Sequence, residues 1–138
     1  MEKVILIGHG RTGVAFKEAV EMIFGQAPAF YPLEFLPGEG IKDVTRKITD
    51  VVGDTAPEDV LVVADLFSGT PYNSAAQLAL EGKIADVVSG MSLPMLLEVA
   101  CNIQEDVTTV KDLIMSHSDQ YVKLLSQEMQ NQEEEDDF

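Results

Sequence analysis

Four largely apolar runs, the first continuous and the second weaker, alternate along this chain with longer stretches in which apolar residues recur every three or four positions. The runs are KVILIG at 3–8, AFYPLEF at 29–35, VLVVAD at 60–65 and IADVVSG at 84–90. Continuous β-branched runs of this length suit strands buried on both faces. Pro32 interrupts the second run and has no N–H to give to a ladder, which assigns that strand to a sheet edge. Between the runs, Val14, Ala15, Ala19, Val20, Met22 and Ile23 predict a helix stopped at Gly25. Ile41, Val44, Ile48, Val51 and Val52 predict a second, closed by Gly53. A third helix opens at Pro71 and closes at Gly82, and SLPMLLEVACNI supplies a short apolar fourth. From Asp106 onward Val107, Val110, Ile114, His117, Tyr121 and Leu124 follow at alternating spacings of three and four, with Leu125 and Met129 one turn further. They predict one long helix with a narrow buried stripe, on which His117 is a core or seam residue.

Strands of buried type alternating with helices mean an α/β fold: a single doubly wound, three-layer domain with a mainly parallel sheet and helices on both faces. The expected strand order is 2-1-3-4, over residues 1–130, followed by an acidic disordered tail at 131–138. In such a sheet the chain reverses direction between strands 1 and 3, and ligands bind beyond the carboxyl ends of those two strands. The loops to inspect are therefore GHGRTG at 8–13 and DLFSGTPYN at 65–73.

Together these loops hold what phosphoryl chemistry on histidine needs. His9 at the tip of strand 1 is the candidate nucleophile, since a neutral imidazole attacks with one ring nitrogen when the other carries the proton. Asp65, the last residue of strand 3, is placed to accept from that far nitrogen and fix the tautomer. Thr70 followed by Pro71 reads as N-cap and first helical residue, so the N–H groups around Ser68, Gly69 and Thr70 would open an anion site at a helix N-terminus. Gly10, Ser68, Gly69 and Thr70 are the candidate phosphoryl-binding residues. Gly8 and Gly10 relieve crowding on either side of His9, and Gly13 serves close helix packing. Taken singly, Asp65 reads equally well as a loop cap, and SGTP as a plain helix start. Their joint placement on two loops that the topology brings together favours the functional reading. Arg11 is either a phosphate or partner contact or a solvated side chain.

Other chemistries fit less well. GHGRTG also matches the dinucleotide pattern G-x-G-x-x-G, with Glu34 as an acidic ribose partner. Pro32 distorts the strand that would carry Glu34, however, and no second domain holds a substrate. GHGRTG lacks the Lys-Ser/Thr ending of a P-loop. One histidine and one aspartate are too few ligands for a metal, and no cofactor is implied.

Charge narrows the partners. The chain has 24 acidic and 9 basic residues, a formal charge of −15, and five of the acids lie in the run Glu133 to Asp137. Without those five the remainder still carries −10. That excludes nucleic acid and anionic membrane surfaces and suits partners that present positive surface. Cys101, the single cysteine, lies in MLLEVAC and reads as a small buried hydrophobe; Met91, Met95 and Met115 read as packing. No apolar segment approaches a membrane span of about 20 residues, and a strand begins almost at the N-terminus, leaving no room for a signal peptide; the expected location is the cytoplasm.

VILIGHG, VADLFSGTPYN and VVSGMSLPMLLE, in this order and spacing, resemble the three characteristic blocks of the mannose-type enzyme IIA proteins of the bacterial phosphoenolpyruvate-dependent sugar phosphotransferase system. The resemblance runs over about residues 3 to 100. It implies that His9 accepts a phosphoryl group from the phosphocarrier HPr and passes it to an enzyme IIB. It matches Asp65 to the family's histidine-orienting aspartate and Thr70 to its phosphoryl-contacting hydroxyl. It further implies a homodimer sharing an edge strand, and only an indirect link to the membrane components that choose the sugar. The family often has Gly-Gly-Ser-Pro-Phe-Asn where this chain has SGTPYN, and an asparagine where Ser92 stands. Some relatives continue through a linker into a IIB domain. Two other readings remain open here: a regulatory module switched by the same phosphorylation, and a flavodoxin-like nucleotide-binding module.

Overall fold

The computed structural model describes residues 1–136. Its elements in chain order are β1 Lys3–His9, α1 Thr12–Ile23, β2 Phe30–Phe35, α2 Ile41–Val52, β3 Val60–Ala64, α3 Thr70–Leu80, β4 Asp86–Val88, α4 Leu93–Cys101, α5 Val107–His117 and α6 Leu125–Asp136. The four strands form one all-parallel sheet of order β2-β1-β3-β4. β2 is an edge strand, and its Pro32 lies opposite Leu6 of β1, its one neighbour.

The central runs are apolar at every position because alternate residues serve two different cores. Val4 and Leu6 of β1 and Leu61 and Val63 of β3 join α1, α4 and α5 on one face. Ile5, Ile7, Val60 and Val62 join α2 and α3 on the other. All eight are fully buried. Each such side chain contributes about 1.5–3 kcal/mol of transfer free energy. A polar residue anywhere in either run would therefore face a core.

Helices α1, α2 and α3 stop beside Gly25, Gly53 and Gly82, as the spacing predicts. The fourth strand is shorter than its apolar run, because only Asp86–Val88 pair with β3. The expected single helix from Asp106 is two. α5 keeps Val107, Val110 and Ile114 buried, then gives way to a 3₁₀ turn at Ser118–Gln120. Ser116, Ser118 and Asp119 compete with helical hydrogen bonding there, and the Ser118 hydroxyl donates to the Met115 carbonyl at 3.2 Å. Tyr121 turns in against the first core and donates its hydroxyl to Glu98 Oε2 at 2.6 Å. α6 has no buried residue. Within the expected tail, residues 131–136 belong to that exposed helix, and 137–138 lie outside the described residues.

Candidate active site

β1 and β3 are neighbours, so their carboxyl ends deliver His9 and Asp65 side by side. The Asp65 N–H continues the ladder by donating to the Ile7 carbonyl at 3.2 Å. Asp65 Oδ2 accepts from the His9 backbone N–H at 2.9 Å and lies 3.0 Å from His9 Nδ1. An ionised carboxylate only accepts, so Nδ1 carries a proton, and in the neutral imidazole Nε2 is left with the lone pair. The His9 side chain is 52% exposed and that of Asp65 19%, leaving the ring accessible above a largely covered carboxylate. Asp65 Oδ1 is buried without a hydrogen-bond partner, so the carboxylate's contacts all converge on the oxygen beside His9.

The free edge of the ring lies over the start of α3. A methyl placed on Gly69 would stand 3.2 Å from His9 Cε1 and 3.8 Å from Nε2. Gly69 is the N-cap of α3, with Thr70 and Pro71 as the first two helical residues and no side-chain cap. Thr70 therefore sits one position further into the helix than TP alone suggests. The first N–H groups of a helix have no acceptor within it and carry partial positive charge, and this end of α3 faces the imidazole. Ser68 holds a positive φ of 68°, the one non-glycine among the described residues to do so.

The glycines around His9 have distinct reasons. A Cβ on Gly8 would come within 2.9–3.0 Å of Cγ, Cβ and Oδ2 of Asp65, so Gly8 clears room for the carboxylate rather than for the imidazole. At Gly10 a Cβ meets nothing within 4 Å; crowding is not its reason, and the φ of +61° is. The Gly10 N–H donates to the Phe35 carbonyl at 2.8 Å, which takes it out of the set free to bind an anion. Gly13 allows α1 to lie on the sheet, since its Cβ would stand 2.4 Å from the Leu6 carbonyl oxygen.

A model of the family described as "PTS system fructose IIA component" matches residues 3–117. The chain is 46% identical to the sorbose-specific EIIA component of Lacticaseibacillus casei, with 99% of both chains covered. It is 39% identical to the fructose-specific EIIA component of Bacillus subtilis, over 83% of this chain and 77% of that one. It superposes on the phosphotransferase system component EIIA of Streptococcus agalactiae with a TM-score of 0.84 at 28% identity, over 92% and 99% of the two chains. The chain belongs to the mannose-type enzyme IIA family.

As an enzyme IIA it is a component of the sugar phosphotransferase system. Within this IIA fold the match of GHGRTG to a dinucleotide fingerprint is incidental. Glu34, the would-be ribose partner, accepts from Arg11 Nη1 at 2.6 Å, with the Arg11 side chain 68% exposed. Ser92 serves the backbone, its hydroxyl capping α4 by accepting from the Met95 N–H at 3.3 Å. Cys101 is exposed rather than buried, because α4 turns it away from the core that takes Val99 and Ala100. Met91 and Met95 do pack, but Met115 is 69% exposed, one residue off the Ile114 stripe. His117 is an exposed seam residue, its Nδ1 paired with Glu98 Oε1 across α4 and α5. No helix among the described residues is long and apolar enough to cross a membrane.

Two further contributors have little or no signature in the sequence. The Thr12 hydroxyl donates to the His9 carbonyl at 2.6 Å and ties the loop to the first turn of α1; a threonine three residues after the histidine is the only local sign of it. Phe35 packs its ring edge-to-face with His9, which only the β1–β2 register reveals.

Proposed function

We propose that this enzyme IIA is a phosphohistidine carrier that takes a phosphoryl group from phospho-HPr on His9 and delivers it to an enzyme IIB. The observation that carries the reading is the 3.0 Å contact from His9 Nδ1 to Asp65, with the opposite edge of the ring over the N-terminus of α3. His9 Nε2 attacks the phosphorus of the donor's phosphoimidazole. The donor's N–P bond breaks as the His9 N–P bond forms, and the donor imidazole leaves with the bonding pair. Asp65 holds the reactive tautomer and offsets positive charge on the modified ring. The N–H groups at Gly69 and Thr70, with the Ser68 and Thr70 hydroxyls, receive the phosphoryl oxygens; catalysis is positioning and charge stabilisation. Transfer to IIB is the same exchange run onward, in the cytoplasm.

A homodimer completes the proposal. β4 ends the sheet on one side, and a groove of about 510 Å³ lined by Val87, Val88, Met95 and Ile114 runs beside it, a surface suited to an edge shared with a second copy. Incubation with phosphoenolpyruvate, enzyme I and HPr is expected to place acid-labile phosphate on the wild-type chain, with none on His9→Ala. Equal labelling of the two proteins would refute the assignment. Asp65→Asn is expected to slow transfer with the fold intact.

A further inference from the structure

We infer that Phe35 is a positioning residue for the His9 imidazole, complementary to Asp65. His9 lies at the end of the central strand β1, with Asp65 reaching it from the β3 side. On the β2 side the register sets Phe35 directly opposite His9. The two rings stand 5.4 Å apart between centroids at 76°, an edge-to-face contact. The Phe35 backbone is clamped to the same loop: its carbonyl accepts from the Gly10 N–H at 2.8 Å, and its own N–H donates to the Gly10 carbonyl at 3.3 Å. Its side chain also leans on the second core, which braces the ring from below.

The need for this contact follows from the geometry of the histidine. A single hydrogen bond at Nδ1 leaves the imidazole free to rock about the line to Asp65 Oδ2, and a half-exposed ring has little packing to stop it. Rocking moves Nε2, which lies on the far side of the ring from that hinge. Transfer to phosphorus requires the attacking nitrogen in line with the leaving one, so rotational freedom at Nε2 is lost rate. The Phe35 ring and the Gly69 backbone bound that motion, while Asp65 sets the tautomer.

The inference rests on His9 being the phosphoryl acceptor, and the test separates the two. Potassium phosphoramidate phosphorylates an accessible imidazole without a protein donor: the phosphorus–nitrogen bond of the reagent breaks, ammonia leaves, and the Nε2–phosphorus bond forms. Phe35→Leu keeps an apolar side chain and removes the ring; Phe35→Tyr restores it. With phosphoramidate and with phospho-HPr alike, Phe35→Leu is expected to react roughly two- to twelvefold more slowly than wild type. KM for phospho-HPr should be unchanged, and Phe35→Tyr should recover the rate. A Phe35→Leu rate equal to wild type, a loss confined to KM, or no recovery in Phe35→Tyr overturns the positioning role. Proton NMR of the wild-type protein guards against a variant that fails to fold: cross-peaks between the Phe35 and His9 rings are expected, and their absence overturns the inference. A wild type that reacts with phosphoramidate but never with phospho-HPr defeats the proposed function and leaves the Phe35 test intact.

Discussion

Replacing Gly8 with alanine tests whether the space left by a missing side chain governs the chemistry at His9. The added methyl would stand 2.9 Å from Asp65 Cγ and 3.0 Å from Cβ and Oδ2. Carbon atoms rest about 3.5–4.0 Å apart, so the carboxyl group must retreat by roughly 0.5 Å or more. Oδ2 is the atom that accepts from both the His9 N–H at 2.9 Å and Nδ1 at 3.0 Å. A retreat of that size carries the Nδ1 contact to the limit of hydrogen bonding. A hydrogen bond to a charged group is worth about 1.5–3 kcal/mol, so phosphoryl transfer should fall roughly 10- to 150-fold. Overpacking adds about 1–3 kcal/mol of lost folding stability. Rate is read from labelling time courses with phospho-HPr, tautomer from nitrogen NMR of the imidazole, and stability from urea unfolding. The reasoning is refuted if Gly8→Ala folds, keeps the Nδ1–H tautomer and transfers at the wild-type rate, because the carboxylate would then not need the space that Gly8 leaves.

Gly13→Ala should cost about 3 kcal/mol in urea unfolding, since its methyl would meet the Leu6 carbonyl oxygen at 2.4 Å and force α1 off the sheet. Ser68→Gly should stabilise the fold by roughly 0.5–1 kcal/mol, the left-handed strain at φ 68° relieved less the entropy glycine adds to the unfolded chain; a lower urea midpoint would contradict this. The Tyr121 phenol is pushed above its ordinary value of 10.0, first by burial and then by its hydrogen bond to Glu98 and that group's charge. The folded state thus holds this proton more tightly than the unfolded one. Its contribution to stability is complete below pH 10 and declines as pH rises beyond it. The difference in phenolate absorbance between wild type and Tyr121→Phe should accordingly develop only above pH 10 while the protein stays folded; a difference already half developed at pH 10, as an ordinary phenol would give, would count against the hydrogen bond to Glu98.

How much of the molecule is legible in the sequence depends on the range of the interactions involved. Strand identity, sheet order and edge placement follow from VLVVAD, KVILIG and Pro32, because burial on two faces and a missing N–H are properties of the local chain. The pairing of His9 with Asp65 is also within reach, since a 2-1-3-4 sheet can only bring those two loops together. The C-terminal helix departs from its expected course at Ser118. A three-four spacing describes which residues could share a stripe and says nothing of whether a core remains for the stripe to cover.

Tertiary structure alone decided the finer points of the site. Gly8 and Gly10 look alike in GHGRTG, yet one yields space to a carboxylate 57 residues away in the chain and the other supplies a positive φ. Cys101 and Met115 lie on apolar-looking stretches, yet each stands one residue past a buried position, Ala100 or Ile114, and so falls outside. Phe35 carried no signal at all until the β1–β2 register set it against His9. The sequence by itself therefore determined the fold, the order of its strands and the loops that hold the chemistry, because periodicity and backbone chemistry act within a few residues. Which atoms touch, and which glycine stands clear of what, waits on strand register and helix rotation, for those are set by all the contacts of the packed chain at once.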